Sequence, residues 1–194
     1  MALPPRQLNA QNIDDAWRSY RSSIDEIGHT VGTARGVELL RILKRGQAGS
    51  GPYPTVSLFE AANRIMTDLV ILSGVRWLLV ESGLPFREYT VEYGHEDNGD
   101  HDIVATDGER RLIGEAFNVA ASFFPIKKAS ALRKLRASAS PADYRVVVCN
   151  CESVTASYGP KPQTGEYFLF VDIDSGHARV VPSNGLQPTG SLPR

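Results

Sequence analysis

Asp102 and Glu115 are the side chains in this sequence whose types and spacing most directly suggest chemistry. They lie in GDHDIVATDGERRLIGEAFNVA, residues 99–120, on either side of the turn signal Asp107-Gly108. The apolar alternation of the flanking runs predicts two strands of a hairpin. A two-residue tip at Asp107-Gly108 would set Asp102 opposite Ile113 and Asp100 opposite Glu115, making Asp102 and Glu115 diagonal neighbours on one face. Their Cβ atoms would then lie within roughly 7–8 Å, a span that one hard cation can bridge through oxygen ligands. Two carboxylates on one strand face repel each other and lose hydration unless a cation or a basic group stands between them. The plainer alternative is an exposed face, where Asp and Glu are tolerated.

The other reactive side chains offer less. His29, His95, His101 and His177 are scattered, with no i, i+4 pair and no matching cysteine, so no zinc site is expected. Strand alternation would turn His101 to the face opposite Asp102. Cys149 and Cys151 sit two apart in YRVVVCNC, a spacing that seldom forms a disulfide, and read as structural thiols of a reducing, cytoplasmic compartment. No glycine-rich phosphate loop of the P-loop type occurs. The formal net charge of -1 means that any contact with nucleic acid must come from a local patch. Lys127, Lys128, Arg133, Lys134 and Arg136 form such a patch on one predicted helix, suited to phosphate oxygens or, in the plainer reading, to water alone.

What must position these groups is a fold of one-domain size: 194 residues, 42% of them hydrophobic, suffice for a sizeable core. Ile13, Trp17, Tyr20, Ile24, Ile27 and Val31 alternate steps of four and three, which predicts one long helix or two. Such a stripe packs on its own domain or, in the sharper reading, forms a homodimer through these N-terminal helices. The segment GQAGSGPYP, residues 46–54, can sustain neither a helix nor a central strand and is expected to link a helical extension, residues 1–54, to the core. TVSLFEAANRIMTDLVILSGVRWLLVES is apolar around much of its circumference and predicts a buried helix ending near Gly83, with Glu60, Arg64 and Asp68 as one polar row. Gly74 and Arg76 break its apolar run, so no membrane span is read, and no N-terminal stretch combines basic residues, an apolar run and a cleavage site as a signal peptide would. A strand in FREYTVEYG, the hairpin, a helix in SFFPIKKASALRKLRAS with Ser122 as cap, and a buried strand in YRVVVCNC follow. A second hairpin turning at Asp174-Ser175-Gly176 completes a core of residues 55–182, and residues 183–194 are expected to be a flexible tail.

This order resembles the PD-(D/E)XK nuclease superfamily over residues 55–151. A helix bears Glu60, three strands carry carboxylates on the second and third, a helix opens with Lys127-Lys128, and a buried strand follows, with HDIVA and IGEAFNVA as the motif-bearing segments. The resemblance implies an α/β, restriction-endonuclease-like fold: a mixed β-sheet core flanked by helices in the order α-β-β-β-α-β, with an N-terminal helical extension. It implies Asp102 as the metal-binding aspartate, Glu115 as the first residue of the E-x-K motif, and Glu60 as the helix carboxylate that some members add. The lysine position of that motif holds Phe117, and Asn118 should point to the other face. The lysine role is therefore expected of Lys127 or Lys128, with Lys127 the first choice. The implied activity is hydrolysis of DNA phosphodiester bonds with Mg²⁺ (or Mn²⁺), in restriction or defence, with Arg133, Lys134 and Arg136 on phosphates. The rival expectation is a catalytically inert nuclease-like domain that binds nucleic acid or a protein partner, because a phenyl ring at 117 can neither orient water nor stabilise developing charge.

Overall fold

Among the described residues, seven strands form one mixed sheet flanked by four helices. The computed structural model describes residues 3–27, 31–94 and 100–182. The strands are β1 (Gln7–Asn9), β2 (Glu88–Val91), β3 (Ile103–Thr106), β4 (Arg111–Phe117), β5 (Tyr144–Asn150), β6 (Glu166–Val171) and β7 (Ala178–Val181), side by side in chain order. β1 to β4 run antiparallel to their neighbours, β4, β5 and β6 are parallel, and β7 turns back antiparallel on β6. A parallel neighbour demands a crossover rather than a hairpin. Between β4 and β5 that crossover is a helix, Phe124–Arg136. At the parallel centre Val146, Val147, Val148 and Cys149 are all buried, which accounts for the unbroken apolar run of β5.

The other helices are α1 (Ile13–Ile24), α2 (Gly36–Arg45) and α3 (Leu58–Val80), which makes Phe124–Arg136 α4. Ser57 starts α3 by accepting the Glu60 N–H at 3.2 Å, and the Glu60 carboxylate sits in the first turn, where the helix dipole favours negative charge. α3 lies so close to the sheet that a Cβ at Gly74 would come 2.6 Å from Cγ1 of Val148, so glycine is required there. Every residue from 69 to 75 is buried, because the sheet covers one side of α3 and the N-terminal segment the other. That segment contributes Leu8 of β1, Ile13, Ala16 and Tyr20 of α1, and then Ala48 and Tyr53 from the glycine- and proline-rich stretch, all in one core with α3 and the sheet. The apolar stripe of α1 thus faces the chain's own core.

On the opposite face α4 buries Phe124, Ala131 and Leu135 against Ile113, Phe117, Val147, Cys149, Phe168 and Phe170. Ser122 is exposed and does not cap this helix; Phe123 occupies the cap position and makes no side-chain cap. Pro125 in the first turn lacks one of the N–H groups that would need a cap. Both cysteines are free, and burial pushes the Cys149 thiol up to about 12. Among the described residues no helix is long and apolar enough to cross a membrane. The expected tail, residues 183–194, and His29 and His95 lie outside the described residues.

Candidate functional site

The site begins with a turn longer than its sequence suggests. Thr106 pairs with Arg111 and Ile103 with Gly114, so four residues, Asp107 to Arg110, join β3 to β4 instead of two. The cause is the Asp107 side chain, whose carboxylate accepts the N–H groups of Glu109 (3.1 Å) and Arg110 (2.7 Å) and pairs with the Arg110 guanidinium at 2.9 Å. Gly108 supplies the φ of 94° that this turn requires. A two-residue tip would set Ile103 opposite Leu112; the wider turn shifts it by two, to Gly114, where the ladder ends, and Asp102 lies in the bend just before β3. The shift is an even number of residues, so the faces of the strands are unchanged.

Along β4 the side chains alternate between two layers. Leu112 and Ala116 pack in the α3 core, while Ile113 and Phe117 pack under α4. Glu115 shares the α4 side, where it is 7% exposed, with Oε1 at 2.8 Å from Nδ1 of His101 and Oε2 at 2.9 Å from Nζ of Lys134. Burial raises its pKa, and the Lys134 ammonium opposes that rise. His101 lies in a bend before β3 begins, so strand alternation does not govern it, and its ring reaches Glu115 instead of the opposite face. Its Nε2 stands 3.1 Å from the Ser138 hydroxyl. Beside an ionised Glu115, Nδ1–H donates to the carboxylate, and the Ser138 hydroxyl near Nε2 also donates to the Ser140 carbonyl at 3.3 Å. Asp102 lies in the same bend, just before β3 begins: its Oδ2 accepts the Ala116 N–H at 2.7 Å, and its carbonyl accepts the Glu92 N–H at 3.0 Å.

The basic residues of α4 divide into two groups. Lys127 and Lys134, with Ser130, line one wall of a cavity of about 120 Å³ whose other wall holds Glu115, Ala116 and Phe117. Lys128 turns away, donating to the Tyr158 hydroxyl at 3.0 Å over the rings of Phe124 and Tyr158. Arg136 grips the buried Glu166 through two bonds of 2.6 and 2.9 Å, holding that carboxyl below its usual range. Arg133 is exposed and has no side-chain bond among the described residues. Glu60 is ion-paired with Arg64 in the first turn of α3, and no contact joins it to Asp102 or Glu115 among the described residues.

A third buried carboxylate, Asp68, stands on the other side of the sheet. It is fully buried in α3 and accepts the hydroxyls of Tyr20, at 2.5 Å, and Tyr53, together with the Gly94 N–H at 3.1 Å. Burial first and then the Asp68 charge raise both tyrosine pKa values, so each phenol stays a donor. Gly94 has φ 72°, and a Cβ there would meet the Tyr53 hydroxyl at 2.8 Å. Sequence reasoning placed Asp68 in a polar row without showing that the row runs from solvent into the core.

Compared with known proteins, the chain matches no family model, no curated protein and no solved structure. The geometry alone therefore carries the functional reading.

His101 gives the cluster a pH signature. Burial is the first cause that lowers its pKa, and the charge of Lys134 adds to it. A base whose folded pKa lies below its unfolded value of 6.5 contributes its full stability above that pH and loses it as the pH falls further. Glu115, whose pKa is raised, acts in the opposite sense nearer its ordinary 4.5. Thermal unfolding from about pH 7 to about pH 5 should show a falling midpoint, and His101→Asn, which keeps a donor near Nδ1, should flatten part of that slope. An identical slope in the variant would remove His101 as its source.

Proposed function

We propose that this chain is a metal-dependent hydrolase of DNA phosphodiester bonds on a restriction-endonuclease-like core. The observation that carries the reading is Glu115, a nearly buried carboxylate on β4 beside a cavity that Lys127 and Lys134 line. The run α3-β2-β3-β4-α4-β5, three antiparallel strands followed by a helical crossover to a parallel one, supports it through resemblance to the PD-(D/E)XK superfamily. Asp102 and Glu115 offer hard oxygen donors. Mg²⁺ is commonly held by one or two carboxylates with water completing its shell, so the donor set suits that ion or Mn²⁺. Bound there, the ion would polarise the phosphate and lower the pKa of the attacking water. Among the described residues no group of three or more His, Cys, Asp or Glu forms a cage, and Glu60 stays outside the donor set. Lys134 and Lys127 face the same cavity and would offset negative charge on the phosphate; Arg133 would hold the flanking backbone.

One observation favours the catalytically inert alternative: both oxygens of Glu115 and one of Asp102 already hold hydrogen bonds within the protein. Calorimetry with Mg²⁺ and Mn²⁺, paired with a DNA cleavage assay, separates the two readings. Saturable binding that Asp102→Asn and Glu115→Gln each weaken by about tenfold or more, with cleavage lost in parallel, is the outcome expected of the hydrolase. Equal affinity in all three proteins and intact DNA would leave the pair a structural role.

A further inference from the structure

The first turn of α4 places two neighbouring phenylalanines in opposite settings. Phe124 is buried, with its ring 6.2 Å from that of Phe117, 5.4 Å from Tyr158 and 6.3 Å from Phe170. Phe123 is 61% exposed and has no ring or cation partner among the described residues. Ile126, one turn along, is 69% exposed. Burying Phe124 among three rings fixes the start of α4, so Phe123 is held in water by a rigid anchor rather than by a mobile loop. An apolar ring held out of the core loses the free energy its burial would supply, unless something else covers it.

What lies beside it narrows the choice of cover. Phe123 and Lys127 are four residues apart, and Lys127 and Lys134 seven, so the three share one side of the helix. Phe123 therefore stands about 6 Å along the helix axis from Lys127, which lines the cavity containing Glu115. Arg133 continues the row of Ile126 and Ser130 on the same side. An exposed aromatic and aliphatic pair next to the cations Lys127 and Arg133 suits a partner that is itself flat, apolar and anionic at short intervals, which is a nucleic acid strand with its bases turned out.

Duplex DNA does not fit this surface. Its base faces are covered by their neighbours and its outside is phosphate, so a phenyl ring there would lose water without gaining a stack. A single strand, an overhang or a flap presents an open base face. Resting on the hydrolase reading, we infer that Phe123 with Ile126 is a stacking platform for an unpaired nucleobase. It directs the enzyme to single-stranded or frayed DNA, whose adjacent phosphate then reaches Lys127 and the Glu115 cavity.

The test uses the full chain in chelator, where binding is read without cleavage, with a fluorescent oligothymidylate and a blunt duplex of equal length as probes. Phe123→Ala should weaken single-strand binding by about tenfold, leave the duplex within about twofold, and leave the salt slope unchanged. Phe123→Trp should keep wild-type affinity. Lys127→Ala should weaken both probes alike and lower the salt slope by about one. If the wild type binds DNA and Lys127→Ala weakens it, while Phe123→Ala has no effect or an equal effect on both probes, the platform is overturned and the hydrolase reading stands. A wild type that binds neither probe overturns both. A concentration-dependent dimer that Phe123→Ala dissolves would assign this face to a second copy and overturn the platform alone.

Discussion

Replacing Lys134 by methionine is expected to lower DNA turnover by about 10²–10³ while KM for DNA changes only a few-fold. Methionine keeps the unbranched apolar stem and removes the ammonium that stands 2.9 Å from Glu115. In the resemblance to PD-(D/E)XK nucleases, the lysine is missing from β4 because Phe117 holds its place; α4 brings Lys134 back to the same carboxylate from the neighbouring layer. An ammonium fixed beside the proposed metal-binding carboxylate meets charge that develops in the transition state. That is a kcat effect rather than a binding effect. Lys127, which lines the same cavity without a side-chain partner among the described residues, should behave differently, with Lys127→Met raising KM and leaving kcat nearly unchanged. The sequence alone favoured Lys127 for the catalytic role, and a reversal of the two kinetic patterns would restore that assignment.

Lys134 also supports Glu115 electrostatically, so a loss of rate needs a readout that distinguishes its role. Its charge opposes the burial that raises the Glu115 pKa, and removing it lets that pKa rise further. The acidic limb of the kcat profile should therefore move to higher pH in Lys134→Met. Lys128→Met is the control: its ammonium lies on Tyr158, and turnover should stay at wild type. If Lys134→Met retains full turnover, the carboxylate and the ammonium form a structural pair only.

The hairpin and its carboxylates were legible because alternation and the Asp-Gly signal are local properties. What sequence could not supply was the effect of one side chain on the turn. Asp107 captures two backbone N–H groups and widens the loop, which slides the register by two residues, from Leu112 to Gly114 opposite Ile103, and Asp102 in the bend before β3 reaches the Ala116 N–H. His101 was misplaced for a related reason. Residues 101 and 102 form a bend before β3 that alternation does not reach, and only the fold shows the His101 ring turning to Glu115. Lys134 was visible as one charge in a basic stripe, but which member of that stripe meets a carboxylate depends on how α4 crosses β4, a non-local fact. Composition was least informative at residues 46–54. Glycine and proline there do forbid helix and strand, yet they leave Tyr53 free to point into the core, where Asp68 accepts its hydroxyl.

Asp68 is the position where substitution should most affect stability, with Asp68→Ala expected to lose about 3–5 kcal/mol. The carboxylate accepts two phenol hydroxyls and a backbone N–H from three separate parts of the chain: Tyr20 on α1, Tyr53 in the stretch before α3, and Gly94 just after β2. Alanine leaves these buried donors without an acceptor and opens a space that the packed helix cannot close. The donors cannot readily turn to water, since Tyr20 is 3% and Tyr53 7% exposed. Against a total stability of about 5–15 kcal/mol, such a loss would unfold a large fraction of the protein at modest denaturant. Asp68→Asn should cost less, because its amide oxygen can still accept one donor and a tyrosine hydroxyl can rotate to accept from its NH₂. Tyr20→Phe and Tyr53→Phe each remove a single bond and should cost about 1–2 kcal/mol. If all these contacts act through Asp68, each tyrosine substitution combined with Asp68→Ala should add almost nothing, the signature of a shared network in a double-mutant cycle. Urea titrations with unchanged m-values would give the four free energies directly. A loss below about 1 kcal/mol in Asp68→Ala would mean that water enters and satisfies the tyrosines. The N-terminal segment would then be held to α3 by its apolar contacts together with the Trp17–Ser73 hydrogen bond and the Asp14–Arg76 ion pair.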